Sequence, residues 1–249
     1  MYLDNEWLDP LPIYCFLIEH PEGYYLVDTG DAWRSAFPGY LTWWNFILRS
    51  VVEYQIAPEE EIGFQLSKLG INTNEDIKAV ILSHFHLDHA GGLVHFPHNR
   101  ILATKVNYND ALGLKGKFYG YLPQWFPFWF RPEFIEFKDE AIGPFDSSYY
   151  VTKDQRVIIV PTPGHTDGHV SVIVRDDDIS YFITGDAVYS EQSLKNGIID
   201  SMTIDPEMTM KTLKKIQEFS LSEPTVVLPS HDSDVPSRLK NKVKFSMDS

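Results

Sequence analysis

The sequence predicts an α/β fold in which β-sheets are covered by helices. Two observations carry that reading. Apolar runs of strand length alternate with amphipathic, helix-length stretches in both halves of the chain. Four of these runs, 77–83, 157–160, 181–184 and 226–229, are followed within a few residues by a His or an Asp. A core packed from such strands would deliver four polar loops to one edge.

The elements follow in order. Residues 13–19 and 24–28 read as strands of a hairpin, with His20-Pro21-Glu22-Gly23 as the turn. Asp28-Thr29-Gly30 closes the second strand. Asp28 there either orients a ligand histidine or serves as a turn residue. Residues 59–69 read as a helix stopped by Gly70. The apolar run 77–83 leads into a polar loop, and a helix is expected to start near Asp88. Residues 101–104 form a short strand. Asp205 and Pro206 supply an N-cap and a first-turn proline for a helix through about Phe219, with Met210, Leu213, Ile216 and Phe219 on its apolar face. No long linker or low-complexity segment divides the chain, so residues 1–249 are expected to form one domain with an aromatic-rich loop insertion around 115–135.

The densest chemistry lies in His84-Phe85-His86-Leu87-Asp88-His89, followed by Ala90-Gly91-Gly92. Three imidazoles and a carboxylate sit between a buried strand and a helix start. Such a loop can aim several side chains at one point, and this donor mix suits zinc, iron or manganese. A histidine-rich surface loop is the plainer alternative, but ligand types at four of six positions in this context favour the metal. Pro163-Gly164-His165, Gly185-Asp186 and Ser230-His231 follow the other three strands. Seven metal-ligand candidates result: His84, His86, Asp88, His89, His165, Asp186 and His231.

From Val27-Asp28-Thr29-Gly30 through HxHxDH to Ser230-His231, these motifs resemble the metallo-β-lactamase-fold hydrolases, in order and over most of the chain. The resemblance implies a four-layer αβ/βα sandwich, two mixed β-sheets flanked by helices. It implies two divalent metal ions, zinc in the first instance, with iron or manganese as alternatives. His84, His86 and His165 resemble the ligands of the first metal; Asp88, His89 and His231 resemble those of the second. Asp186 resembles the carboxylate bridging both, with a bridging hydroxide as nucleophile. Asp186-Ala187-Val188-Tyr189 further resembles the N-acyl-homoserine lactone lactonases, where a tyrosine at this spacing contacts the substrate carbonyl. The 11–15 stretch and Ile204-Asp205-Pro206-Glu207 are also similar. The implied catalytic residues are Tyr189, as donor to the oxyanion, and Asp88, as proton carrier to the leaving alkoxide. The plain reading of Tyr189 is a packed aromatic. The implied activity is opening of a lactone or cleavage of a carboxylic ester. A glyoxalase II-like thioesterase and a small-molecule phosphodiesterase are the alternatives, and a metal-binding domain without activity is the non-enzyme reading.

Composition narrows the classes. A formal net charge of −14 argues against a nucleic-acid backbone as main partner. The single cysteine, Cys15, lies in an apolar run, cannot form an internal disulfide and reads as a small buried hydrophobe. The first residues show neither a basic region nor an apolar stretch, and no spanning helix is visible, so a cytoplasmic protein is expected. Two aromatic segments, 40–48 and 119–130, remain. Prolines 123, 127 and 132 make the second an irregular loop or broken helix. Both read as a pocket for a greasy group, a homodimer contact or a satellite core. Residues 119–130 hold no cation, which counts against a membrane-surface contact. His20, His95, His98 and His169 are left over; His95 and His98 read as surface groups and His169 as a packing or loop-supporting residue.

Overall fold

The computed structural model describes residues 10–114, 116, 119–200 and 202–247. The expectation about the first nine residues lies outside this set. Two five-stranded sheets form the centre. One runs β1 (Phe16–His20), β2 (Gly23–Val27), β3 (Ile77–Ile81), β4 (Arg100–Ala103) and β5 (Glu133–Phe134). The other contains β6 (Tyr149–Tyr150), β7 (Val157–Pro161), β8 (Val170–Asp176), β9 (Ile179–Gly185) and β10 (Thr225–Pro229), in the order β10-β9-β8-β7-β6. The first sheet is parallel except for β1/β2, the second antiparallel except for β9/β10.

Burial explains why the site-bearing strands are largely apolar: both faces are covered over most of their length, Lys78 of β3 being an exposed exception. Between the sheets, Val27, Ile81 and Leu102 meet Val172, Ile183 and Val226 in one core. The outer face of the first sheet carries Leu26, Val80 and Ile101 against Ile62 and Leu66 of the helix Ile62–Lys68. The outer face of the second carries Ile158, Phe182 and Val227 against Leu213, Ile216 and Phe219 of the helix Pro206–Ser222. The result is the four-layer arrangement of helix, sheet, sheet, helix.

Strand direction then places the site. β2, β3 and β4 run one way in the first sheet, and β7, β9 and β10 share a direction in the second. Their C-terminal loops meet at one edge, joined across the sheets by Val170 N–H to Ser83 O (3.0 Å) and Thr104 Oγ1–H to Gly168 O (2.8 Å).

Several local expectations change. The first strand begins at Phe16, because residues 12–14 bond instead to the last loop: Tyr14 N–H donates to Ser230 O (2.9 Å). Cys15 is half-buried rather than buried. The expected helix over 59–69 is a 3-10 turn, Pro58–Glu60, followed by a helix at Ile62–Lys68. On the helix Pro206–Ser222, Asp205 is the N-cap, accepting Met208 N–H, but Met210 is only half-buried. Thr209 and Thr212 are buried in its place. Thr212 Oγ1–H donates to Pro163 O (2.6 Å), so this helix is docked partly through hydroxyls.

Candidate metal centre

The loop after β3 turns into a short helix, Leu87–Ala90, whose N-cap is His86. That turn aims His84, His86, Asp88 and His89 inward. His84 Nε2 lies 2.9 Å from His86 Nδ1, and His165 Nε2 lies 3.0 Å from the same atom. Asp186 Oδ2 faces His165 Nε2 at 3.5 Å and His84 Nε2 at 3.9 Å. The other oxygen, Oδ1, faces His89 Nε2 at 3.0 Å and His231 Nε2 at 3.1 Å. Asp88 Oδ2 completes this second group, 3.4 Å from His231 Nε2 and 3.8 Å from His89 Nε2. The structure therefore brings all seven residues together in two groups of four that share Asp186, with the donor atoms of each group within 4.8 Å of one another.

The tautomers follow from the far side of each ring. Ser83 Oγ–H donates to Asp28 Oδ2 (2.8 Å), so the 3.0 Å contact between Ser83 Oγ and His84 leaves the hydrogen on His84 Nδ1. His89 Nδ1–H donates to Asp28 Oδ2 (2.8 Å), and His231 Nδ1–H to Pro12 O (2.8 Å). In their neutral forms, each of these three rings turns a lone pair toward the centre. Lone pairs facing carboxylate oxygens repel one another unless a cation lies between them. His89 Nε2, His231 Nε2 and Asp186 Oδ1 are buried and make no hydrogen bond. Buried polar atoms rarely go unpaired, and a cation held between these three would satisfy them together. The donor chemistry fits two divalent cations held by nitrogen and oxygen ligands.

The electrostatics agree. Burial and the neighbouring rings hold the His84 pKa well below the imidazole range, and that of His86 near 3, so both stay neutral donors. Burial works against charge on His89 and His231, yet Asp186 and Asp88 raise His89 well above the usual value and His231 to about 9. Burial also works against a charged Asp186, but His89 and His231 hold it well below the carboxylate range. The second group thus carries a field that attracts positive charge.

Four further residues support the donors. Asp28 does both things the sequence left open. Its φ of 60° makes it a turn residue, and its carboxylate accepts from Ser83 N–H (2.7 Å), Ser83 Oγ–H and His89 Nδ1–H. Ser83 itself was not singled out; its place directly before HxHxDH was the available signal. His169 accepts Asp186 N–H on Nε2 (3.2 Å), so Nδ1 carries the hydrogen toward Thr162 Oγ1 (2.9 Å). It holds the backbone of the shared carboxylate. Gly164 permits the turn to His165. Its φ is +138°, and a Cβ there would lie 2.5 Å from Thr209 N and 2.6 Å from Thr209 Cα. A Gly164→Ala variant is therefore expected to lose roughly 2–3 kcal/mol of stability. Urea unfolding of the metal-free chain checks this; an unchanged midpoint would contradict the clash.

Tyr189 sits over the second group, its ring 5.0 Å from His231 and tilted 30° to it. Burial and then Asp186 raise its phenol pKa, so the hydroxyl keeps its proton. His95 is half-buried and bonded to buried Glu61 (2.7 Å), a correction to its surface reading, whereas His98 is exposed. The aromatic segments lean on the same loop. Tyr121 lies 4.7 Å from His86, Gly120 O accepts Leu87 N–H, and Leu87 packs with Tyr40 and Leu122.

Comparison with known proteins adds to this geometry. The family model described as the metallo-beta-lactamase superfamily matches residues 8–231. An N-acyl homoserine lactonase of Bacillus thuringiensis is 28% identical, over 89% of this chain and 82% of its own. The N-acyl homoserine lactonase AttM of Rhizobium radiobacter is 27% identical, over 94% and 87%. A solved N-acyl homoserine lactone hydrolase, with its product N-hexanoyl-L-homoserine at the catalytic metal centre, superposes with a TM-score of 0.70 at 26% identity, covering 94% of this chain and 85% of that one.

Proposed function

The chain belongs to the metallo-β-lactamase superfamily, and on that premise we propose that it is a two-metal hydrolase that opens an N-acyl-homoserine lactone. The observation that carries the reading is the pair of donor groups joined through Asp186. The relatives named above, and the product found at the metal centre of one of them, support the choice of substrate.

His84, His86 and His165 would hold one cation, Asp88, His89 and His231 the other, and Asp186 both. Zinc is the first metal to test, with iron or manganese as alternatives. Two cations held there would acidify a shared water and polarise the carbonyl, supplying hydroxide near neutral pH. The chain's own residues do the rest. Tyr189, neutral and beside His231, donates a hydrogen bond to the oxygen that gains charge at the carbonyl. Asp88, at the rim with its side chain 26% exposed, takes the proton that the attacking hydroxide brings to the tetrahedral centre and passes it to the leaving alkoxide. His169 and Asp28 keep Asp186 and His89 from turning away.

Removing one oxyanion donor should lower turnover without emptying the site. A Tyr189→Phe variant is expected to lose about 10²-fold in kcat at unchanged metal content. Full activity in that variant would end the assignment. The substrate is tested by hydrolysis of short- and long-chain acyl-homoserine lactones by metal-loaded protein, beside a thioester and an aryl phosphodiester. Lactone cleavage supports the reading. Cleavage of only the thioester or the phosphodiester replaces it.

A further inference from the structure

The chain's carboxylates are not spread evenly. Residues 32–52 and 111–132 contain no Asp or Glu, yet carry Arg34, Arg49, Lys115, Lys117 and Arg131, in a protein of net charge −14. The same two segments hold five of the six tryptophans. Residues 119–130 have no cation of their own, but their flanks do.

The fold ties these segments together. Tyr40 stacks on Trp125 with centroids 4.7 Å apart and planes 2° apart, and Trp125 Nε1–H donates to Tyr40 O (3.1 Å). Three exposed aromatics lie three residues from that stack: Phe37 and Trp43 on one segment, Phe128 on the other. Three residues reach at most about 10 Å, so all three stay close to it. Phe128 is 92% exposed and Trp43 78%. Arg34, Arg49 and Arg131 are exposed as well, and Arg131 Nη1–H donates to Phe130 O (2.6 Å), next to Phe128.

Exposed Trp and Phe accompanied by exposed Arg, with no carboxylate within either segment, match the chemistry of a bilayer interface. The rings enter the headgroup boundary and the cations meet lipid phosphate and anionic headgroups. A second copy of this chain fits less well. A two-fold contact sets the same patch against itself, and with no Asp or Glu in either segment the facing copy would offer its arginines no carboxylate from that patch. We propose that this aromatic and cationic face docks the protein on anionic lipid surfaces. The docked face adjoins the metal loop through Tyr121 and His86, so the candidate site would open close to the bilayer.

The test is cosedimentation of metal-loaded, full-length protein with vesicles of phosphatidylcholine alone or of phosphatidylcholine with phosphatidylglycerol. The mixed vesicles are expected to bind more protein, and added salt to weaken that binding. A Trp43→Ser/Phe128→Ser variant should bind at least about tenfold less. Its metal content, its circular dichroism and its hydrolysis of a water-soluble ester should stay unchanged. An Arg34→Gln/Arg49→Gln variant should lose most of the preference for phosphatidylglycerol. The proposal is overturned by absence of binding to either vesicle, by equal binding to both, or by binding indifferent to the serine substitutions. It is also overturned by a concentration-dependent dimer in sedimentation velocity that the serine substitutions disperse. Because the readout is lipid binding, a failed substrate assignment would leave this result standing, and the reverse.

Discussion

Replacing Asp186 with asparagine is expected to lower kcat/KM for a lactone by at least ~10³-fold and to cut the bound metal below two ions per chain. Asp186 is the one residue shared by the two donor groups, one oxygen facing His84 and His165, the other His89 and His231. An amide keeps the volume but offers one oxygen in place of two and removes the negative charge from a fully buried position. The backbone link to His169 stays intact, because it uses Asp186 N–H. Loss of metal and activity together, with the fold preserved by circular dichroism, is the predicted pattern. A variant that retains two metals and full turnover would show that the carboxylate does not join the two groups.

Asp28→Ala should weaken metal binding by about 10²-fold although Asp28 is not among the proposed ligands, because residues that orient ligands typically carry 10–100-fold effects. One carboxylate holds the Ser83 amide, the Ser83 hydroxyl and His89 Nδ1–H. Without it, three buried donors lose their acceptor, at about 1–3 kcal/mol for each group left unpaired. His89 also loses what fixes its ring orientation. Alanine is further disfavoured at a φ of 60°. Asp28→Asn tolerates that backbone and retains one acceptor, so it should fall between the two. Competition with a chromogenic chelator measures the affinities. Equal affinity in wild type and Asp28→Ala would mean that His89 needs no orienting partner.

These residues also show how much a sequence reveals. The seven donors were legible because each follows a long apolar strand, and a strand buried on both faces leaves little choice of direction. β8, Val170–Asp176, is hidden because the polar residues 166–169 before it read as part of the His165 loop, and Ser171, Arg175 and Asp176 interrupt its apolar run. β5 and β6 are two residues each, too short for any periodicity. The helix Lys105–Leu112 has no apolar stripe; Thr104 caps it, with Oγ1 accepting Asn107 N–H. Thr209 and Thr212 are hidden because a hydroxyl docking a helix onto a loop looks, in sequence, like a solvent residue. The sequence does not separate packing from support for His169, since the amide it accepts, that of Asp186, lies across the β8–β9 hairpin. Its position four residues after His165 was the only hint.

The proposed chemistry rests on a site for two cations that share Asp186. The most direct test is a zinc titration of chelator-stripped protein, with bound metal counted by atomic emission after gel filtration. Two tightly bound ions are expected per wild-type chain, fewer in the Asp186→Asn variant, with activity that returns with the metal. One ion or none in the wild-type chain, or full activity in the stripped protein, would contradict it.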